Sequence, residues 1–292
     1  MTTSTLRPLG PVARPRMSRR GWRKLRRYPF ALVALGALIL IAGAAIAAPA
    51  IAGDPNVFVA VERLQSPSFS HLFGTDNLGR DVFSRTVFGA RASLTVGVVT
   101  AVITSAVGIS IGILAAMFHW VDLVVMRIVD GVMSFPIIVL ALSMTAILGS
   151  GLGTVILALV IVFFPSMTRV VRSAALVASE LPMVDAARAV GAGTRRIFLR
   201  YVLPQCTTPV LVQAAVTFTT AVLVESALSF IGAGLPPNVP SWGAALSDAR
   251  TYLSTAPWMW GFPGLALIIT VLSMNVVIDA ARDILDPRKG DR

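Results

Sequence analysis

The residues of this sequence able to do chemistry are few, and their spacing removes most of the options. There are two histidines, His71 and His119, a single Cys206, and two lysines, Lys24 and Lys289. A phosphate-binding loop needs Gly-x-x-x-x-Gly-Lys followed by Ser or Thr. Lys24 precedes Leu25 and Lys289 precedes Gly290, so neither fits. An intramembrane serine protease would need a late His or a Lys base, and neither is available. No HExxH stretch occurs, and Asp130 and Asp279 lack the Gly-x-Gly-Asp context of a membrane aspartyl protease. The chain is therefore expected to be no enzyme and to hold no catalytic residue, cofactor or metal of its own. What remains is a set of ionisable residues embedded in apolar sequence, Arg127, Asp130, Glu225 and Asp279, and one polar interruption, DAARAVGAGTRRIFLRYVLP, at 185–204.

The elements that must position these residues are set by composition. A hydrophobic fraction of 55%, 13% charged residues and a mean hydropathy of +0.79 lie far from the soluble average. Apolar runs long enough to cross about 30 Å of hydrocarbon fall at 30–52, 92–118, 122–148, 152–171, 207–231 and 258–280. An all-α integral membrane protein with six spans follows, organised as a basic tail over 1–29 and one membrane domain over 30–292. The net charge of +11 does not point to nucleic acid, because the arginines gather at the ends of the apolar runs. Basic residues from Arg7 to Arg27 precede the first acidic one, Asp54, which holds the N-terminus in the cytoplasm. The first 21 residues read as a mobile tail, and a cleaved leader is disfavoured because the first run exceeds the usual core of ~7–15 residues.

With six spans both termini are cytoplasmic, 53–91 is an outer loop, 172–204 a cytoplasmic loop and 281–292 a cytoplasmic tail. In 169–204 the arginines 169, 172, 188, 195, 196 and 200 outnumber Glu180 and Asp185, as an inner loop requires. Charges in 53–91 balance and decide nothing. Cys206 alone forms no internal disulfide.

Within the polar interruption, Pro182 should open a short helix and Gly191 should end it about nine residues later. Met183, Ala187 and Val190 then share one face, with Asp185 and Arg188 on another and Ala186 keeping the surface flat. Thr194 is placed to cap a second helix carrying Arg195, Arg196 and Arg200 towards Pro204. A helix this short needs a surface to lie against. By these rules alone the segment reads equally well as an ordinary connector whose arginines satisfy topology.

The segment resembles the EAA motif of ABC-importer permeases, an acidic residue, two alanines and a glycine four positions after the second, closed by Ile-x-Leu-Pro. Asp185, Ala186, Ala187, Gly191, Leu203 and Pro204 occupy those places, with Asp185 for the usual Glu and Tyr201 for the usual Ile. HLFGTDNLGRDVFSR (71–85), MRIVDGVMSFP (126–136), ESALSFIGAGLPPNVPSWGAALSDAR (225–250) and FPGLALIITVLSMNVVIDAARDILDPR (262–288) resemble the dipeptide and oligopeptide permeases, closest to their C-type subunit. The resemblance implies the six-span type I importer fold in the bacterial inner membrane. It also implies a paralogous second permease, one or two ATP-binding subunits that hold ATP and Mg, and an extracytoplasmic solute-binding protein. Asp185, Ala186, Ala187, Arg188, Gly191, Leu203 and Pro204 would then contact the ATPase, and dipeptides or short peptides would be the substrate. The alternatives are the same architecture importing a nickel chelate or haem, and an ion-coupled secondary transporter using Asp130 or Asp279. Lack of a visible internal repeat weakens the latter.

Among the ionisable residues of the spans, Arg127 and Asp130 are three apart and can pair on one helix, as can Asp279 and Arg282. Structural pairing or a gate is favoured for these over substrate contact. Glu225 reads equally as a residue at a pore mouth or in a helix contact. Gly108 and Gly112 have the small-xxx-small spacing of close helix packing, and Pro136, Pro165 and Pro263 should kink their spans.

Overall fold

A computed structural model describes residues 29–285 of the chain. The tail expected over 1–29 falls outside them except for Pro29, as does 286–292 of the C-terminal tail. The main helices are α1 (Pro29–Ile51), α2 (Val82–Met117), α3 (His119–Met133), α4 (Ile137–Leu148), α5 (Leu152–Ser179), α6 (Pro182–Ala189), α7 (Thr207–Ile231), α8 (Trp242–Ala249) and α9 (Trp258–Leu285). No β-strand occurs among the described residues. Helices α1, α2, α5, α7 and α9 are long and apolar enough to cross a membrane, and counting the bent pair α3–α4 as one crossing gives the expected six.

Two spans differ from expectation in an instructive way. Helix α2 begins ten residues before the apolar run, at Val82 rather than 92. Asp81 caps it by accepting a 2.7 Å hydrogen bond from the Ser84 amide, and its early Arg85 is buried by ion pairing rather than left to solvent. The third span is not one helix, because α3 and α4 meet at 90°. Pro136 stands at the break, where it has no N–H to donate and biases Phe135 away from helix. Pro165 and Pro263 remain inside continuous helices.

The centre of the bundle is the pairing of α2 with α5, and its closeness depends on glycine. A Cβ at Gly112 would lie 2.8 Å from the Thr168 carbonyl oxygen, and one at Gly108 would lie 2.4 Å from Cγ of Met167. The small-xxx-small spacing is therefore a packing seam inside the chain. One buried cluster fills the outer half of the bundle from Val96, Val155, Leu159, Phe163, Ala221 and Leu228. Another joins Met167, Val171, Ala175 and Ala178 of α5 to the polar interruption that follows it.

Candidate coupling and gating sites

Around residues 180–206 the chain folds as the Pro182 and Gly191 signals require. Pro182 begins α6, and the helix ends after eight residues at Ala189. Gly191 adopts φ +80°, its amide donates to the Arg188 carbonyl at 2.9 Å, and the Ala192 amide donates to the Ala187 carbonyl at 3.0 Å. These two bonds make a Schellman cap, which satisfies the last carbonyls with one left-handed residue. Thr194 does not cap the next helical turn, because Gly193 holds that position and Thr194 is already helical. The turn Thr194–Ile197 runs into a π-helical turn, Phe198–Val202, and then into Leu203–Gln205. The Leu203 amide reaches back to the Phe198 carbonyl, and Pro204 has no N–H to offer Arg200.

Of the face shared by Met183, Ala187 and Val190, only Ala187 is buried. Val184 and Ala187 point into a core shared with Ala175 and Ala178 of α5 and with Ile197, Phe198, Val202 and Cys206. Met183 and Val190 point away, Val190 being 84% exposed. The reason is steric, since only the Val184 side can reach the end of α5 once Leu181 turns the chain. Outward, α6 thus presents two apolar residues beside Asp185 and Arg188, which pair at 3.2 Å. Ala186 lies on the same exposed surface, while Leu203 and Tyr201 are half-buried against the core and Pro204 is exposed. Burial pushes the Cys206 thiol above its ordinary pKa. Maleimide should label Cys206 slowly near neutral pH in the folded protein and rapidly after unfolding in detergent; equal rates would show that this core opens.

The ionisable residues expected within the spans separate into two kinds. Asp130 does not pair with Arg127. It accepts a 2.7 Å hydrogen bond from Arg169 of α5, and Asp122 at the start of α3 is held by Arg172. The two bridges fasten α3 to the cytoplasmic half of α5, because Arg169 and Arg172 share one face of α5 that meets α3, whereas Arg127 projects outward. Asp279 and Arg282 approach to 3.8 Å as the spacing suggests. Arg127, Asp130 and Asp279 are exposed on the isolated chain. Glu225 is fully buried in a helix contact and faces no opening. Its carboxylate accepts hydrogen bonds from Ser93 of α2 and Ser229 of α7, each at 2.8 Å.

The exposed Asp130–Arg169 pair should add no more than about 1 kcal/mol to stability. Asp130→Asn, which only removes the bridge, is accordingly expected to insert and fold normally and to lower the melting midpoint in detergent by no more than about 4 °C; a larger fall would show that this bridge is the main tie between α3 and α5.

Sequence reasoning assigned no role to a second set of buried charges. In the outer loop, Asp76 accepts from Nε of Arg80 at 2.5 Å, while Asp248 of α8 accepts from Arg80 at 2.9 Å and from Arg85 at 3.2 Å. Arg80, Arg85 and Asp76 are no more than 6% exposed. Trp258 Nε1 donates to the Thr75 carbonyl and Trp242 Nε1 to the Thr86 carbonyl, both at 3.0 Å, and Phe73 stacks on Phe262. These contacts turn residues 53–81 and α8 into one rigid outer cap. The i, i+4 spacing of Asp76 and Arg80 was the available sign. His71 bridges the same loop, 3.3 Å from both Glu62 and Asp81.

Comparison with known proteins fits this arrangement. The family described as binding-protein-dependent transport system inner membrane component matches residues 108–291, and the N-terminal TM domain of oligopeptide transport permease C matches residues 17–67. A Brucella abortus chain assigned to a peptide transport system permease is 43% identical over 267 residues, covering 91% of this chain and 90% of the relative. A dipeptide transport system permease protein of Alkalihalophilus pseudofirmus is 38% identical, with 92% and 90% covered. A glutathione transport system permease protein of Pectobacterium atrosepticum is 36% identical, with 95% of each covered. Among solved structures, an inward-facing conformation of the MetNI methionine ABC transporter aligns with a TM-score of 0.56 and 22% identity, over 70% of this chain and 98% of that one. At that identity the likeness is one of fold.

Proposed function

Because this chain belongs to the family of binding-protein-dependent transport system inner membrane components, we propose that it forms half of the pore of an ATP-driven importer of dipeptides and short peptides. It is a multi-pass membrane protein of the permease type. The peptide reading is supported by relatives whose names specify peptide, dipeptide and glutathione transport. The observation that carries the coupling is α6. Its inner face is locked to α5 through Val184 and Ala187, and its outer face offers Met183, Val190, Asp185 and Arg188 to a partner.

A pull on α6 therefore moves α5 and the start of α7 as one body, since all three share a core. The partner ATPase supplies ATP and Mg, and its closure drags α6 so that the spans tilt from inward-open to outward-open. Hydrolysis resets them. A second, related permease completes the pore, and a solute-binding protein delivers substrate onto the rigid outer cap. An ion-coupled mechanism fits less well, because Asp130 and Asp279 are already paired with arginines of the same chain.

The reading is tested by uptake of a labelled dipeptide into cells with and without this gene, with excess unlabelled tripeptide, nickel or haem as competitors. Loss on deletion, with inhibition by peptide alone, is the expected result. Unchanged dipeptide uptake would overturn the peptide substrate and direct the search to the other two solutes.

A further inference from the structure

On the flank of the bundle, α1, α2, α7 and α9 enclose an open groove of about 590 Å³. Its walls are mostly apolar, with Ile41 and Ile46 from α1, Leu94 and Val98 from α2 and Phe218 from α7; Thr95 and one cation, Arg91, are the polar members. Arg91 is exposed and begins a stripe on α2, continued by Thr95, Val98 and Val102, that the bundle leaves uncovered. Among the described residues no carboxylate forms a salt bridge with it.

Depth makes this arrangement specific. The 36 residues of α2 extend about 54 Å, roughly 24 Å more than the hydrocarbon core, so about 12 Å projects on each side if the helix is centred. Arg91, nine residues or about 13 Å from the outer end, then lies at the boundary between hydrocarbon and headgroups. An unpaired guanidinium there needs an anion, and the phosphate of a lipid is the one a bilayer supplies at that level. Below it, the groove descends along Leu94 and Val98 towards mid-membrane, the path an acyl chain takes. A protein helix in the same groove would have to bury Arg91 and bring its own carboxylate at that depth.

We propose that this groove is a site for an anionic glycerophospholipid of the outer leaflet, with its phosphate on Arg91 and one acyl chain between α1 and α2. The site is separate from α6 and from the proposed substrate, so its test does not depend on uptake. The full-length protein, purified in detergent together with the transporter subunits that accompany it, is titrated with phosphatidylglycerol or phosphatidylcholine and read by native mass spectrometry. Wild type should retain phosphatidylglycerol in preference to phosphatidylcholine. Arg91→Ala should lower phosphatidylglycerol retention about fivefold, the effect of one basic residue at a membrane surface. Val98→Trp, which fills the groove while keeping the charge, should lower retention of both lipids. Gel filtration of each variant reports folding, and Arg91→Gln replaces Arg91→Ala if the latter does not assemble. Equal phosphatidylglycerol retention by wild type and both variants would overturn the site. So would efficient cross-linking of Leu94→Cys to a second permease subunit in native membranes, since a protein helix would then fill the groove.

Discussion

Gly191→Arg is expected to reach the membrane normally and to lose ATP-dependent uptake, while Gly191→Asn keeps most of it. Space is not the reason, because a Cβ at Gly191 would meet nothing within 4 Å. The cause is conformational. At φ +80° an ordinary side chain costs about 1–2 kcal/mol, enough to change the population of the cap by about 5–30-fold. Losing that cap frees the Ala187 and Arg188 carbonyls and turns Val190, the exposed apolar residue at the tip of α6, to a new direction. Arginine also places a second positive group beside Arg188 on the surface proposed to meet the ATPase. Asparagine tolerates left-handed dihedrals and adds no charge, so it separates the backbone requirement from mere alteration of the loop. The measurement is uptake together with substrate-stimulated ATP hydrolysis by the assembled transporter. Normal uptake by Gly191→Arg would remove α6 from the coupling path.

Asp76→Ala should be the most destabilising single change in the outer cap. The Asp76 carboxylate accepts from the amides of Leu78 and Arg80 at 2.8 and 2.9 Å and from the Arg80 guanidinium, and it stands 3.7 Å from Arg85. Without it, two buried arginines share only Asp248, which is itself 39% exposed. Removing one partner of a buried ion pair costs about 3–5 kcal/mol, because the remaining charge keeps its desolvation penalty. A fall in melting midpoint on the order of 10 °C in detergent is expected for a chain of this size. Asp76→Asn, which keeps an acceptor for the two amides, should lose less. A melting midpoint within 2 °C of wild type for Asp76→Ala would mean that the cluster is hydrated and that the cap is held by Trp242 and Trp258 instead.

These two sites differ in how readable they were. The α6 cap followed from Pro182 and Gly191 alone, because helix starts and stops are decided by dihedrals and by the few carbonyls nearest them. The face that α6 buries did not follow. Met183, Ala187 and Val190 form a regular apolar stripe, yet Ala187 is buried together with Val184 while Met183 and Val190 are exposed, since the approach of α5 decides which side is covered. Similarly, Arg127 was the nearest partner in sequence for Asp130, but Arg169, 39 residues away, is the nearest in space.

By itself the sequence determined the membrane class and five of the spans to within several residues at most of their ends. Those conclusions rest on runs of apolar residues and on local dihedral preference, both of which act over a few turns of helix. Tertiary structure alone decided that α3 and α4 meet at 90°, that Glu225 joins Ser93 across 132 residues, and that Arg85 meets Asp248 across 163. In a low-dielectric interior a charge is tolerated only against its partner, and which partners meet is set by the packing of whole helices.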